Sequence, residues 1–219
     1  MPDAPHYPFV RALALTLVVG LIGLATDRIA VSAGWHFPSF GYLAGELVWK
    51  TATVAVMAWA LWRFEHRRLT GATTGFAPTE AAHPNRAGVA LVGGALAGGA
   101  SVLISNLLGA SASSASTYGT VHKAGLVLVL AEVLVRYPLT VFAEEAFFRG
   151  WLQPRLGPRG PVLSGVLWGA YHLQQFRTIP QLLAFGVALG LLRWWRGNVR
   201  ATATFHYLGD VTFFLSTYM

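Results

Sequence analysis

Long apolar stretches separated by short polar connections dominate the chain. A helix needs about 20 apolar residues to cross the hydrocarbon core of a bilayer. The pattern therefore predicts an all-α, polytopic transmembrane bundle of about seven spans. The predicted spans are 9–29, 40–62, 87–109, 124–152, 161–176, 180–196 and 199–218. The fifth span is short, and Pro138 is expected to kink the long fourth span or divide it into two segments.

The spans and their connections fit a single integral membrane domain over residues 1–219. The longest polar connection is 63–86, and the Ser- and Ala-rich segment 109–119 reads as a loop on the other side. Small residues recur four positions apart within the spans, which lets helix backbones approach closely in lipid. These pairs are Gly41/Gly45, Gly94/Gly98, Gly165/Gly169 and Gly186/Gly190.

The N-terminal apolar run after Arg11 also resembles a signal peptide. Asp27 and Arg28 interrupt the pattern after this run, and further spans follow. We therefore interpret it as an uncleaved first span. The Ala-, Gly- and Arg-rich composition, together with the lack of a recognisable targeting extension, favours a prokaryotic plasma membrane.

Charge agrees with a membrane protein, because charged residues make up only 11% of the chain and about 25% of a typical soluble domain. The net charge of +7 comes from scattered basic residues, which argues against a nucleic-acid partner. A cytoplasmic N-terminus puts eleven Lys and Arg side chains inside and three outside, so the C-terminus is predicted outside. The eleven are Arg11, Arg63, Arg67, Arg68, Arg86, Arg149, Arg155, Arg159, Arg193, Arg196 and Arg200; the three are Arg28, Lys123 and Arg177.

The absence of cysteine excludes disulfides, thiolate metal sites and a cysteine nucleophile. Ionisable side chains within a membrane are costly, so each one is a candidate functional residue. Two sets have a simpler explanation, because Glu46/Lys50 and Glu132/Arg136 are Glu-to-cation pairs at i,i+4. We interpret both as structural pairs, with a substrate path as the alternative.

The stretch FAEEAFFRGW, residues 142–151, places two adjacent glutamates in apolar surroundings. Glu145 and Arg149 have the same i,i+4 spacing, which leaves Glu144 without a cation on its own helix face. Glu144 is turned about 100° away from Glu145 around the helix. The alternative is a helix end at the interface with solvated carboxylates.

Two later spans carry histidines, namely His172 in the fifth and His206 in the last. His206 and Asp210 lie four residues apart on one helix face, where a carboxylate can fix the imidazole tautomer. Structural hydrogen bonding is the alternative for each histidine. Helix rise places these groups at a similar depth in the cytoplasmic half of the membrane, which favours a single site. The distances along each helix are about 16 Å from Glu144 to Arg155, 19 Å from His172 to Arg159 and 9 Å from His206 to Arg200.

Glutamate with histidines is a set that activates water, either by general-base catalysis or through a divalent metal. The chain contains no G-x-S-x-G, no H-E-x-x-H and no phosphate-binding glycine loop. Hydrolysis by activated water is therefore the simplest chemistry to assign.

The ordered motifs resemble the CPBP family, which comprises type II CAAX prenyl endopeptidases and bacterial Abi or bacteriocin-processing relatives. They read Glu144-Glu145-x-x-x-Arg149, Trp168-x-x-x-His172 and His206-x-x-x-Asp210, within residues 140–212. The first three spans are similar to the family only in being hydrophobic.

The resemblance implies that Glu144 is the general base and that His172 helps to hold the water. It implies that Glu145 with Arg149 braces the helix, and that His206 and residue 210 stabilise the oxyanion or complete the polar cluster. Many relatives carry Asn where this chain has Asp210, so orienting His206 or binding a metal is the better role for this carboxylate.

Cofactor and substrate stay open at this point. Glu144, His172 and His206 could hold a divalent metal such as zinc, and a metal-free glutamate base is the reading we favour. The expected activity is an intramembrane endopeptidase opening towards the cytoplasm and cutting a peptide or protein substrate, which the family name suggests is prenylated. The rival is a non-catalytic membrane protein, such as an immunity or scaffold factor or a small transporter.

Overall fold

The computed structural model describes residues 5–35, 37–77, 92–97, 99, 100, 103 and 125–218. This part of the chain is helical, without a strand. Its long helices are α1 Phe9–Ser32, α2 Phe40–Glu65, α3 Leu126–Arg155, α4 Gly160–Tyr171, α5 Ile179–Arg196 and α6 Val199–Tyr218. The predicted third span falls mostly outside the described residues, and the 109–119 loop falls wholly outside them.

Helices α1 and α2 correspond to the first two predicted spans. In α1 the buried residues recur three and four positions apart, as expected for one packed face. Large apolar side chains such as Val10, Leu21 and Ile29 cover the rest of its surface. Within the described residues, α1 and α3 are the two helices long and apolar enough to cross a membrane.

Helix α3 carries the FAEEAFFRGW stretch and runs without a break for 30 residues. The expectation that Pro138 divides this span is wrong. A π-helical turn over Glu132–Arg136 ends two positions before the proline, and such local widening accommodates the missing N–H donor. A second π-helical segment, Glu145–Leu152, begins just after Glu144, and all eight of its residues are buried.

Helices α4 and α5 form a tight hairpin joined by the turn Leu173–Thr178. Their close approach depends on glycine, since a Cβ added at Gly186 would lie 2.6 Å from the carbonyl oxygen of Gly165. The predicted short span 161–176 corresponds to α4 together with the first residues of the 3₁₀ turn that follows it. Helix α4 has 12 residues, a rise of about 18 Å, whereas the hydrocarbon core is about 30 Å thick.

The tip of this hairpin lies at mid-depth in the bundle. A Cβ added at Gly20 would lie 3.1 Å from the carbonyl oxygen of Tyr171, the last residue of α4. Gly20 is about 17 Å from the first residue of α1 and about 18 Å from its last. The turn that carries Arg177 therefore lies beside the middle of α1, whereas the sequence placed Arg177 on the side opposite the cytoplasmic arginines.

One end of the bundle is fixed by a buried carboxylate, Glu65, at the end of α2 and beyond the predicted span. Its Oε1 accepts hydrogen bonds from Tyr7 Oη at 2.7 Å, Trp151 Nε1 at 3.0 Å and Arg155 Nε at 2.6 Å. Burial disfavours the charged form of Glu65, but the bonds from Arg155, Tyr7 and Trp151 outweigh burial and hold its pKa below the ordinary 4.5. We call this end the arginine-rich face, because most of the predicted cytoplasmic arginines lie at it.

Exposed tryptophans mark the same face. Tryptophan is enriched where a membrane meets water, and four such side chains lie at the ends of α2 and α5 that reach the arginine-rich face. Their exposed fractions are 49% for Trp59, 66% for Trp62, 70% for Trp194 and 58% for Trp195. The exposed tryptophans and the arginines together indicate that this end of the bundle lies at a membrane–water interface.

Candidate active site

The carboxylate of Glu144 lies at the centre of the site. It projects from α3, just before the second π-helical segment, and the residue is 1% exposed. Each oxygen accepts one short hydrogen bond, Oε1 from Lys50 Nζ at 2.8 Å and Oε2 from Trp168 Nε1 at 2.6 Å. A carboxylate has about four lone-pair sites, so two remain for other partners.

Two imidazoles face this carboxylate from different helices. His172 Nε2 lies 3.7 Å from Glu144 Oε1, and His206 Nε2 lies 3.9 Å from Oε2. The Nδ1 atom of His172 donates to the carbonyl oxygen of Trp168 at 2.9 Å, and Nδ1 of His206 donates to Glu145 Oε1 at 2.9 Å. Because both acceptors lack a proton, these bonds fix the tautomers and direct each Nε2 at Glu144.

Glu145 connects the second imidazole to the helix framework. Its Oε1 also lies 3.3 Å from Arg149 Nη1, and Arg149 Nη2 donates to the carbonyl oxygen of Gly186 on α5 at 2.9 Å. Both side chains are fully buried. The family resemblance implied that Glu145, together with Arg149, braces α3. In the structure Glu145 also accepts the hydrogen bond from Nδ1 of His206 and so orients this imidazole.

Asp210 lies on the other side of His206. Its Oδ2 is 3.5 Å from His206 Nε2, and 28% of its side chain is exposed. The sequence suggested Asp210 as the group that orients His206 or binds a metal. The Nδ1 hydrogen bond goes to Glu145 instead, and Asp210 contributes a third carboxylate near the imidazole.

Lys50 is the site residue that sequence reasoning missed. Its ammonium bonds Glu144, lies 3.4 Å from Tyr171 Oη and stands 3.2 Å from the centre of the Trp49 ring. The predicted partner Glu46 is more distant, at 3.6 Å. Lys50 lies about 20 Å along α2 from Arg63, nearly the depth found for His172, so the depth argument applied to α2 would have indicated it.

The second predicted pair, Glu132/Arg136, also forms. Arg136 Nη1 further lies 3.9 Å from Glu46 Oε2. Charges of alternating sign therefore run from Glu132 through Arg136, Glu46 and Lys50 to Glu144. The two pairs that looked self-contained in the sequence are a continuous part of the site.

The residues present do not form a metal centre in this arrangement. Among the residues that the structure describes, no group of three His, Asp or Glu side chains is placed to hold a metal ion. The predicted ligand set of Glu144, His172 and His206 is close together, but the Lys50 ammonium supplies the positive charge at Glu144. The chemistry available here is that of a carboxylate and two imidazoles.

Comparison with known proteins addresses the part of the chain from α3 onwards. The family model described as Type II CAAX prenyl endopeptidase Rce1-like matches residues 126–212, less than half of the chain. No curated protein and no solved structure gives a match. The matched region contains all six predicted site residues, whereas Lys50 lies outside it.

Proposed function

Because residues 126–212 match the family model described as Type II CAAX prenyl endopeptidase Rce1-like, we propose that this protein is an intramembrane endopeptidase with Glu144 as its general base. The family is one of membrane proteases, and the apolar helices agree with an integral membrane protein. The observation that carries the proposal is the approach of two Nε2 atoms to within 3.9 Å of one buried carboxylate.

In the first step, a water molecule lies between Glu144 Oε1 and His172 Nε2 and donates one hydrogen to each. Glu144 removes a proton from this water as its oxygen attacks the carbonyl carbon of the scissile peptide bond. The carbonyl π electrons move to oxygen and form a tetrahedral oxyanion. His172 positions the water because its other nitrogen is fixed by Trp168.

His206 stabilises the oxyanion. Three carboxylates surround the His206 imidazole, namely Glu144, Glu145 and Asp210. Two cations, Lys50 and Arg149, partly compensate their negative charge. A proton on His206 balances this local charge and makes Nε2 a donor. A charged donor aimed at the developing oxyanion in a site shielded from water is an effective source of transition-state stabilisation.

In the last step, the tetrahedral intermediate collapses and the bond from carbon to nitrogen breaks. Glu144 returns its proton to the leaving amine and becomes a carboxylate again. Lys50 compensates the negative charge of the Glu144 carboxylate before and after each cycle. No electrons are exchanged with another group, so water and the peptide are the only reactants.

The substrate we propose is a peptide or protein segment at the membrane. A prenylated C-terminal tail is the substrate that the family description names, and it is one member of this class. The host membrane we propose is a prokaryotic plasma membrane. Membrane-associated peptides compared between cells making the wild type and cells making Glu144→Gln will identify the substrate.

The test of the catalytic proposal uses Glu144→Gln and His172→Ala in purified, membrane-reconstituted protein. Cleavage of the identified peptide should fall by at least about 100-fold in both, with unchanged insertion and unfolding that stays cooperative. Asp27→Asn on α1 is the matched carboxylate-to-amide control and should retain activity. Cleavage that survives Glu144→Gln contradicts the mechanism. If no peptide differs between wild type and Glu144→Gln, the polar cluster serves binding instead, as in an immunity or scaffold protein or a small transporter.

A further inference from the structure

Three neutral side chains in the described part of the chain carry buried polar atoms that have no hydrogen-bond partner there. They are the hydroxyls of Thr16 and Thr140 and the side-chain amide of Gln174. Burying a hydroxyl or an amide without a hydrogen bond is unfavourable, so each of these groups calls for an explanation. Gln174 and Thr140 lie close in the chain to His172 and Glu144, the two residues to which we assign the attacking water.

Gln174 lies in the turn that joins α4 to α5, two residues after His172. Its Cα is therefore within about 7.6 Å of the His172 Cα. The residue is 5% exposed, and both its amide oxygen and its amide nitrogen lack a partner among the described residues. Gln153 is equally buried, yet its Nε2 donates to the carbonyl oxygen of Gly190 at 2.9 Å and its Oε1 accepts from Ser164 Oγ at 3.4 Å. Burial alone therefore does not explain why the Gln174 amide is unpaired.

Thr140 precedes Glu144 by four residues in the regular α-helical part of α3, Tyr137–Glu144. This spacing puts the two side chains on one helix face, with their Cβ atoms about 6 Å apart. Thr140 is buried as well. The hydroxyl of a helical threonine can donate to the carbonyl oxygen four residues back, as Thr53 does to Trp49 at 3.0 Å. Thr140 makes no such bond within the described residues, so its hydroxyl is available to another partner.

A peptide that enters a membrane-embedded site brings its own backbone N–H and C=O groups with it. Hydrocarbon offers these groups no hydrogen bond, so the protein has to supply the partners. An extended residue presents its N–H and C=O on one edge of the chain. A glutamine amide carries a donor and an acceptor side by side, and a threonine hydroxyl both donates and accepts. The unpaired groups of Gln174 and Thr140 therefore match the backbone of a peptide, whatever the side chains of that peptide are.

We propose that Gln174 and Thr140 bind the main chain of the substrate next to the scissile bond. Gln174 takes the N–H and the C=O of one extended residue, and Thr140 takes one further backbone group. This inference rests on the proposed peptidase function. The bound peptide supplies the hydrogen bonds that these side chains lack in the free protein. Recognition at these two positions depends on the backbone of the substrate, so its side chains are selected elsewhere.

The stability of the free protein separates this role from a structural one. Gln174→Met and Thr140→Val each replace an unpaired polar group by an apolar side chain of similar size. The denaturant midpoint of the reconstituted full chain should therefore stay unchanged or rise in both. Gln153→Met is the matched control, and its midpoint should fall because it leaves the Gly190 carbonyl oxygen without its donor. A fall in Gln174→Met as large as in Gln153→Met, or failure of Gln174→Met to fold, shows that the amide has a structural partner and overturns the proposal.

The substrate test uses the peptide that the wild type cleaves and Glu144→Gln does not. Gln174→Met should lower kcat/KM for this peptide by about tenfold and Thr140→Val by about threefold, whereas Gln153→Met and Thr16→Val should retain the wild-type value. Thr16 is the control for loss of an unpaired hydroxyl, because α1 contributes no catalytic side chain.

Synthetic versions of the same peptide, with one backbone amide at a time replaced by an ester, lose a single N–H donor and keep every side chain. At one position the ester should lower kcat/KM by about threefold to tenfold in the wild type and by less than about twofold in Gln174→Met. Equal ester effects in the wild type and in both variants overturn main-chain binding, even where Glu144→Gln is inactive. Cleavage that survives Glu144→Gln contradicts the catalytic mechanism alone, and the absence of any cleaved peptide overturns both proposals.

Discussion

Replacing Lys50 by methionine removes the cation that contacts Glu144 while keeping an unbranched apolar side chain of similar length. The ammonium and the carboxylate are 2.8 Å apart, and their side chains are 2% and 1% exposed. Removing one partner of a buried ion pair costs about 3–5 kcal/mol because the other charge stays buried. Glu144 keeps its bond from Trp168, so we expect a loss near the lower limit, about 3 kcal/mol.

Glu144→Gln should cost less, about 1–2 kcal/mol. In this variant the Lys50 ammonium still has Glu46 at 3.6 Å and the Trp49 ring at 3.2 Å. The oxygen of the new glutamine also still accepts a hydrogen bond from the ammonium. The double variant removes both charges together. Replacing a buried ion pair by neutral groups is often close to neutral, so its unfolding free energy should lie within about 1 kcal/mol of the wild type. The coupling energy in this cycle is then at least about 3 kcal/mol.

Tryptophan fluorescence during reversible denaturant unfolding in mixed micelles measures the four free energies. A second cycle, Lys50→Met with Glu46→Gln, is the matched control and should give a coupling of about 1 kcal/mol or less, because that contact is longer and more exposed. Additivity of Lys50→Met and Glu144→Gln within about 0.5 kcal/mol would refute the pairing. So would a larger coupling to Glu46 than to Glu144.

Three further predictions follow from the fold and the site. Glu65→Gln should lower the free energy of unfolding at pH 7. The difference from wild type should shrink as the pH falls below 4.5, because a carboxyl with a lowered pKa stabilises the fold only when it is ionised. A difference that does not change with pH would contradict this prediction. Gly186→Ala should cost about 1–3 kcal/mol, since its Cβ meets the Gly165 carbonyl oxygen at 2.6 Å, whereas a Cβ added at Gly99 meets no atom of the described residues within 4 Å. Peptide cleavage should persist in a strong chelator with no stoichiometric metal in pure protein, and reactivation by added zinc would disprove a metal-free base.

Hydrophobic periodicity and i,i+4 spacing were enough to predict much of the bundle and the cluster on α3, α4 and α6. They depend on local chain geometry, which is why α1, α2 and α6 follow their predicted spans. The length of an apolar run does not separate helix from turn, however. The predicted short span 161–176 therefore did not separate the α-helix that ends at Tyr171 from the 3₁₀ turn Leu173–Thr178.

The contacts that the sequence did not reveal join residues from separate helices. Lys50 had a satisfactory partner on its own helix in Glu46, so spacing alone gave no reason to look further. Only the packing of α2 against α3 decides that Glu144 lies nearer to the ammonium. The bond from His206 to Glu145 likewise spans 61 positions, and no local pattern encodes which of two carboxylates an imidazole selects.

Because Lys50 comes from α2 and Glu144 from α3, the reactive centre is charge-balanced only after these two helices have met during assembly. A chain whose α3 is already in the bilayer without α2 docked would hold Glu144 as an isolated carboxylate, which takes up a proton readily in apolar surroundings. A protonated glutamate cannot act as a base. Under the proposed mechanism, the base therefore becomes competent only when α2 has docked on α3 and brought Lys50 to Glu144.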